Sequence, residues 1–225
     1  MKVENCTLLN SLMADGWAFR SDGNCMASAL KKITGQQGII TLIKPVIKFS
    51  GETVDSNEFA TAFKEAIEAH KRDEISKYKA KKEHPNVDFN QTMKLVNDEY
   101  ENAFLLIDAC TNADSTKFFQ GMRKLGFQSG LLFKSGVYIL NFMKSLRFNP
   151  GNVYIMMKVT KYPFDDDNLL QTFKDYIDYY ERNKQSMIND VITKHPSYSS
   201  PEAAINEVIE VHNETYEALY KMMKE

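Results

Sequence analysis

The residues whose types and spacing most favour chemistry lie in the stretch from Trp17 to Gly35, WAFRSDGNCMASALKKITG. A short apolar strand runs into a polar turn, and the turn leads to Cys25 at the start of a predicted helix. A thiol at a helix N-terminus lies at the positive end of the helix dipole, which favours the nucleophilic thiolate. Gly23 allows a tight turn, whose backbone N–H groups are able to stabilise an oxyanion. The pattern is that of a nucleophilic cysteine.

The same segment resembles the nucleophile segment of ovarian-tumour (OTU) domain cysteine proteases, which are deubiquitinating enzymes. Their pattern is an apolar strand, Asp-Gly-Asn-Cys, and a helix that carries an Ala-hydrophobic pair. Asp22 to Cys25 and Ala29-Leu30 stand in those places. The resemblance implies that Cys25 is the nucleophile and that the backbone around Asp22 and Asn24 helps to hold the oxyanion. It covers about 20 of the 225 residues.

The rest of the chain departs from that family in its histidines. The family needs a histidine, typically followed by an aromatic residue, on a late strand. The predicted β region 127–162 contains no histidine, and the Trp-Gly signature common midway through such domains is missing. If a histidine serves Cys25, we favour His195, because loops carry catalytic groups more often than helix interiors do. The favoured interpretation is that Cys25 is a small buried residue that opens a helix.

The composition and charge of the chain limit the partners and cofactors that we expect. Of the 225 residues, 43% are hydrophobic and 26% are charged, which predicts a sizeable core. A formal net charge of −2 gives no whole-chain case for nucleic acid or an anionic membrane as partner. The three cysteines show no metal-ligand spacing, so we expect no metal and no cofactor. Lys outnumbers Arg 23 to 5, a bias typical of AT-rich coding sequences in phages, other viruses and some bacteria.

The predicted location is the cytoplasm, or the host cytoplasm for a viral or phage protein. The N-terminal run is interrupted by Glu4 and polar residues, unlike a signal peptide. No apolar stretch reaches the roughly 18 residues that span a bilayer. Three distant cysteines favour reduced thiols.

The predicted fold class is α+β, predominantly helical, with a small, mainly antiparallel sheet at roughly 127–162 and a C-terminal helical hairpin. We expect an α+β body over 1–163 and the hairpin over 164–225, packed on the same core. The apolar run 153–160 is nearly continuous, which predicts a strand buried on both faces. Asp165, Asp166 and Asp167 begin a predicted helix, where negative charge is stabilising.

Two features favour an interaction surface. The mixed-charge segment 71–83 predicts a solvated helix, and Tyr179 lies off the apolar stripe of its helix, where exposed aromatics favour interfaces. The segment carries the basic candidates for nucleic-acid contact: Lys77, Lys79, Lys81 and Lys82. His212 falls on an apolar helix stripe, which predicts a core or interface histidine hydrogen-bonded to a neighbour.

Three hypotheses follow from the sequence. The first is a non-enzymatic protein-interaction, assembly or accessory factor, encoded by a phage or virus, that binds another protein and no membrane. The second is a divergent OTU-like cysteine protease that uses Cys25. The third, less favoured, is a nucleic-acid-binding protein that uses the helix at 71–82.

Overall fold

The computed structural model of the chain describes ten ranges of residues: 2–3, 7–23, 26–35, 38–43, 46–48, 53–54, 56–72, 89–145, 152–194 and 200–225. The chain divides into two compact units. The first comprises Met1–Thr111 and Gly130–Phe133, and the second comprises Asn112–Ser129 and Lys134–Glu225. The predicted boundary at residue 163 lies inside the second unit.

Within its described residues the first unit contains three helices, six strands and part of a seventh strand, Gly130–Phe133. The helices are α1 (Thr7–Ala14), α2 (Ser56–Lys71) and α3 (Phe89–Ser115), whose last turn belongs to the second unit. The strands are β1 (Lys2–Val3), β2 (Trp17–Gly23), β3 (Met26–Gly35), β4 (Gly38–Ile43), β5 (Val46–Lys48) and β6 (Thr53–Val54). β2 pairs antiparallel with β3. β4 and β5 also pair antiparallel with β3, each with a different part of it. β1 pairs parallel with β6.

Local sequence signals account for several of these elements. Gly16 ends α1 with a φ of +96°, a conformation that glycine adopts without strain. In the sequence Pro45 falls between β4 and β5, and a proline in an apolar run favours either an edge strand or two short strands. The helix α2 begins at Ser56 and ends at Lys71. Its predicted charged extension to residue 83 lies outside the described residues.

Aromatic side chains of β2 and α2 form the core of the first unit. Trp17 meets Phe63 edge-on with ring centroids 5.1 Å apart, and Phe19 lies 5.6 Å from Phe59. Phe59, Phe63 and Trp17 are buried. Such edge-to-face pairs each add about 0.5–1.5 kcal/mol beyond the burial of their area. The strand that precedes the predicted nucleophile is therefore held firmly against α2.

The second unit combines a sheet with three helices. β7 (Gln128–Lys134), β8 (Val137–Ser145) and β9 (Asn152–Val159) form a sheet in that order, and Gly130–Phe133 of β7 are counted with the first unit. The helices are α4 (Lys117–Lys124), α5 (Asp166–Lys194) and α6 (Pro201–Lys224). Ser135 and Gly136 form the two-residue turn before β8, and both have positive φ, as the favoured two-residue turns between neighbouring strands require.

Burial alternates along β9, so the prediction of a strand buried on both faces is wrong. Val153, Ile155, Met157 and Val159 face the core, and the residues between them are exposed. Helices cover one face of the sheet: Phe118 of α4 contacts Phe142 of β8 and Phe173 of α5 at centroid distances of 5.8 and 6.1 Å. In an antiparallel sheet that is covered on one face only, buried and exposed residues alternate along each strand, even where the exposed residues are apolar.

The C-terminal helical hairpin is confirmed, and it packs within the second unit. α5 and α6 contact each other along their length, α5 also contacts β9, and α6 contacts α4. Together with the antiparallel sheets, the long helices confirm the predicted α+β, helix-dominated fold class.

Gly121 is a position of close approach between α4 and α6. A Cβ added there would lie 2.5 Å from Cδ2 of Leu219, which is itself fully buried. We expect Gly121→Ala to lower the free energy of unfolding of the second unit by about 1–3 kcal/mol through overpacking. We expect this loss of stability although alanine favours a helix over glycine by about 1 kcal/mol.

Urea unfolding followed by far-UV circular dichroism measures this change. Lys117→Ala, at an exposed position of the same helix, is the control and is expected to change the free energy of unfolding by less than about 0.5 kcal/mol. A Gly121→Ala protein as stable as the parent would show that the two helices separate at little cost.

Candidate functional site

The predicted nucleophile segment forms a β-hairpin. β2 pairs with β3 in the register Trp17↔Lys31, Phe19↔Ala29 and Gly23↔Met26. Asp22 lies in β2, so the predicted strand extends through residues that were expected to form a polar turn. Asn24 and Cys25 lie between the two strands, outside the described residues.

The helix predicted after Cys25 is wrong, because Met26–Gly35 is the strand β3. Alanine, leucine and lysine favour helix on intrinsic propensity. In β3 these residues instead pair with β2 on one side and with β4 and β5 on the other, and such tertiary pairing overrides a weak local preference. The segment that follows residue 25 is therefore a strand, and it supplies no helix dipole that would favour a thiolate.

The other predicted catalytic and basic residues are only partly described. His195 and His84 lie outside the described residues, as do the basic candidates Lys77, Lys79, Lys81 and Lys82. His70 lies on α2. His212, on α6, is buried in the second unit. No described histidine side chain is placed beside the predicted nucleophile segment.

Lys31 forms the one buried charged cluster found at this hairpin in the described part of the chain. Its Nζ lies 2.5 Å from a carboxylate oxygen of Asp15 and 2.5 Å from one of Glu99, and its side chain is only 8% exposed. The ammonium also lies 5.7 Å from the centroid of the Trp17 ring. Two carboxylates and an aromatic face thus replace the water that the ammonium loses on burial.

This cluster is structural in character. Asp15 follows α1, Lys31 lies on β3 and Glu99 lies on α3, so the three charges join three elements. Sequence reasoning missed the cluster, because it treated Lys31 as part of a helix. The sequence carries no local signal for this cluster, because the hairpin register sets the position of Lys31 opposite Trp17.

Asp165 caps the helix that it precedes, as predicted, and Asp166 caps the start of α4 instead. Asp165 accepts a hydrogen bond of 2.9 Å from the backbone N–H of Asn168 and a second from that residue's side chain. These bonds hold the pKa of the Asp165 carboxyl below its usual value. Asp166 accepts a 2.8 Å bond from the N–H of Phe118 at the start of α4. Among the described residues, no group of three His, Cys, Asp or Glu is placed to bind a metal ion.

His212 lies in a box of aromatic rings between α5 and α6. Its ring is buried, with edge contacts to Tyr180 at 5.2 Å, Tyr176 at 5.4 Å and Phe173 at 6.4 Å. The predicted core position is confirmed. The predicted hydrogen bond is wrong: within the described residues neither ring nitrogen has a hydrogen-bond partner. Burial lowers the pKa of His212 to about 4, so the ring is neutral at pH 7.

Tyr176 joins this aromatic box to the sheet. Its hydroxyl donates a 3.1 Å hydrogen bond to the carbonyl oxygen of Tyr154 on β9. Burial raises the pKa of Tyr176, so the hydroxyl keeps its proton and remains a donor. α5 thus holds a backbone group of the last strand in the sheet order.

Tyr179 is exposed, as predicted for a residue off the apolar stripe of its helix. Its side chain is 55% exposed, and its ring meets that of Tyr180 edge-on at 6.3 Å. Ile192 and Tyr220 are further exposed large apolar side chains on the two hairpin helices. The hairpin therefore presents apolar groups to solvent although its inner face is packed.

Comparisons with known proteins add nothing to this geometry: no protein-family model, no curated protein and no solved structure matches the chain. No helix in the described ranges is both long and apolar enough to cross a membrane.

Proposed function

We propose that the chain is a non-enzymatic interaction or assembly factor that binds another protein through exposed apolar side chains of its second unit. The observation that carries this proposal is Tyr179, 55% exposed on α5. Aromatic residues are enriched in protein interfaces, and a tyrosine fixed against a neighbouring ring loses little conformational freedom on binding. The proposal includes a cytoplasmic site of action and a phage or viral origin, which the cysteine usage and the Lys-over-Arg bias support.

A cysteine-protease function receives less support. The strand β3 stands where the OTU resemblance implies a helix. The one histidine whose side-chain surroundings are described, His212, is buried against aromatic rings of α5. A ubiquitin-type activity probe that reacts with cysteine nucleophiles decides this point. We expect no labelling of the chain, and labelling that Cys25→Ala abolishes would replace our proposal with the protease.

Site-specific photocrosslinking tests the interaction directly. We expect benzoylphenylalanine at position 179, in cells that express the chain naturally, to give a discrete adduct with another protein. The matched control is the same probe at position 175, because Asp175 is also exposed and lies about one turn earlier on α5. Equal adducts at both positions, or none at 179, would contradict a binding surface that includes Tyr179.

A further inference from the structure

The outer face of β8 and β9 carries apolar side chains where an antiparallel sheet with one solvated face ordinarily carries polar ones. Tyr154 is 49% exposed and Met156 is 60% exposed. Their partners across the ladder are Met143 and Asn141, and Ile139 lies opposite Lys158. We call the set Ile139, Met143, Tyr154, Met156 and Lys158 the outer face.

The charge of this segment differs from that of the helices that follow it. Residues 127–164 contain five Lys or Arg and no Asp or Glu, whereas α5 and α6 together contain eleven acidic and six basic residues. The exposed Lys158 extends from the outer face beside Met156, and Lys134 is exposed at the end of β7. A partner that covers the methionines therefore meets positive charge around them and no carboxylate from this segment.

The way in which a partner docks is limited by Tyr176. Its hydroxyl donates a hydrogen bond to the Tyr154 carbonyl oxygen of β9, the last strand in the sheet order. Because α5 already bonds a backbone oxygen of that strand, we favour docking against the face over extension of the sheet. Methionine side chains are flexible and polarizable, which suits them to an irregular apolar surface such as that of a helix.

We propose that the outer face binds an amphipathic helix whose apolar side covers Met143 and Met156 and whose acidic side chains pair with Lys158 and Lys134. The proposal rests on the proposed function and names the chemistry of the partner. Single-stranded nucleic acid fits less well, because it requires stacking rings and several basic groups. On β8 and β9 the outer face offers one ring, Tyr154, and one lysine, Lys158.

Methionine-methyl NMR on the full chain tests the proposal with defined probes. The first probe is a synthetic peptide of about 18 residues, or five helical turns, with leucine on one side and glutamate on the other. The second has lysine in place of glutamate, and the third is oligothymidylate. We expect the glutamate peptide to shift the Met143 and Met156 methyl signals, with a dissociation constant below about 1 mM, and to leave the buried Met122 signal in place.

Two matched variants distinguish binding at the outer face from binding elsewhere on the protein. Met156→Asp is expected to weaken binding by about ten-fold or more, roughly the loss of one buried methionine contact. Met13→Asp serves as the control, because Met13 is 58% exposed on α1 and lies in the other unit. Unchanged methyl signals with the glutamate peptide, or equal or stronger shifts with the lysine peptide or oligothymidylate, would overturn the proposal. In that event a crosslink at position 179 would leave the proposed function standing.

Discussion

Replacing Asp15 and Glu99 together by alanine is expected to lower the free energy of unfolding of the first unit by about 3–5 kcal/mol. The reason is that Lys31, 8% exposed, would lose both carboxylates that lie 2.5 Å from its ammonium. An uncompensated buried charge costs far more than a lost surface pair. Each single replacement leaves one carboxylate in place, so we expect the two single losses to sum to less than the double loss.

Trp17 supplies the measurement for this prediction. It is the only tryptophan of the chain and its ring centroid lies 5.7 Å from the Lys31 ammonium, so its fluorescence during urea unfolding reports on the first unit. The matched control is the exposed pair of Lys64 with Asp108, 2.6 Å apart, where Lys64→Ala is expected to cost less than about 1 kcal/mol. Adding Lys31→Met to the double variant should restore most of the loss. A double variant within about 1 kcal/mol of the parent would refute the cluster's structural role.

The second unit is expected to lose about 3 kcal/mol of stability as the pH falls from 6.5 to 4, owing to His212 alone. The pKa of His212 is near 6.5 in the unfolded chain and about 4 in the folded unit. Between those values the unfolded state binds the proton and the folded state does not, so protonation favours unfolding. The contribution is fully present above pH 6.5 and is lost progressively on acidification.

His212→Leu isolates this effect. Leucine fills the aromatic box without nitrogens that lack partners, so we expect equal or greater stability at pH 7, by up to about 3 kcal/mol. The variant should lose the pH dependence between 6.5 and 4. Asp165 contributes little in this range, because the pKa of that carboxyl is lowered and its contribution is lost mainly at lower pH. The chemical shift of the imidazole Cε1–H gives the pKa directly, and a value near 6.5 would contradict the prediction.

Periodicity in the sequence predicts the helices of this chain better than its strands. The stripe of Phe173, Ile177 and Tyr180 predicts α5, and Ser200-Pro201 predicts the start of α6, because helical burial repeats on one face. β3 was missed because its alanines and lysines favour helix locally, and only pairing with strands on both sides makes it a strand. Such pairing joins residues distant in sequence and leaves no short-range signal.

The two candidate surfaces, at Tyr179 and at the outer face, also differ in how well the sequence predicts their exposure. The exposure of Tyr179 follows from helical geometry, which places a residue by its spacing alone. The exposure of Tyr154 and Met156 does not follow from their spacing, because a continuous apolar run predicts the same strand whether one face or both faces are covered. Only the placement of α4 and α5 on one side of the sheet shows which residues remain in solvent.

Photocrosslinking at position 179, with Cys25 present or replaced by alanine, tests most directly the claim that this protein acts by binding rather than by catalysis. We expect the same protein adduct, in equal yield, from the two backgrounds. An adduct that depends on the Cys25 thiol, or one that is absent while Cys25 reacts with a ubiquitin-type probe, would contradict the claim and place the function at the hairpin of β2 and β3.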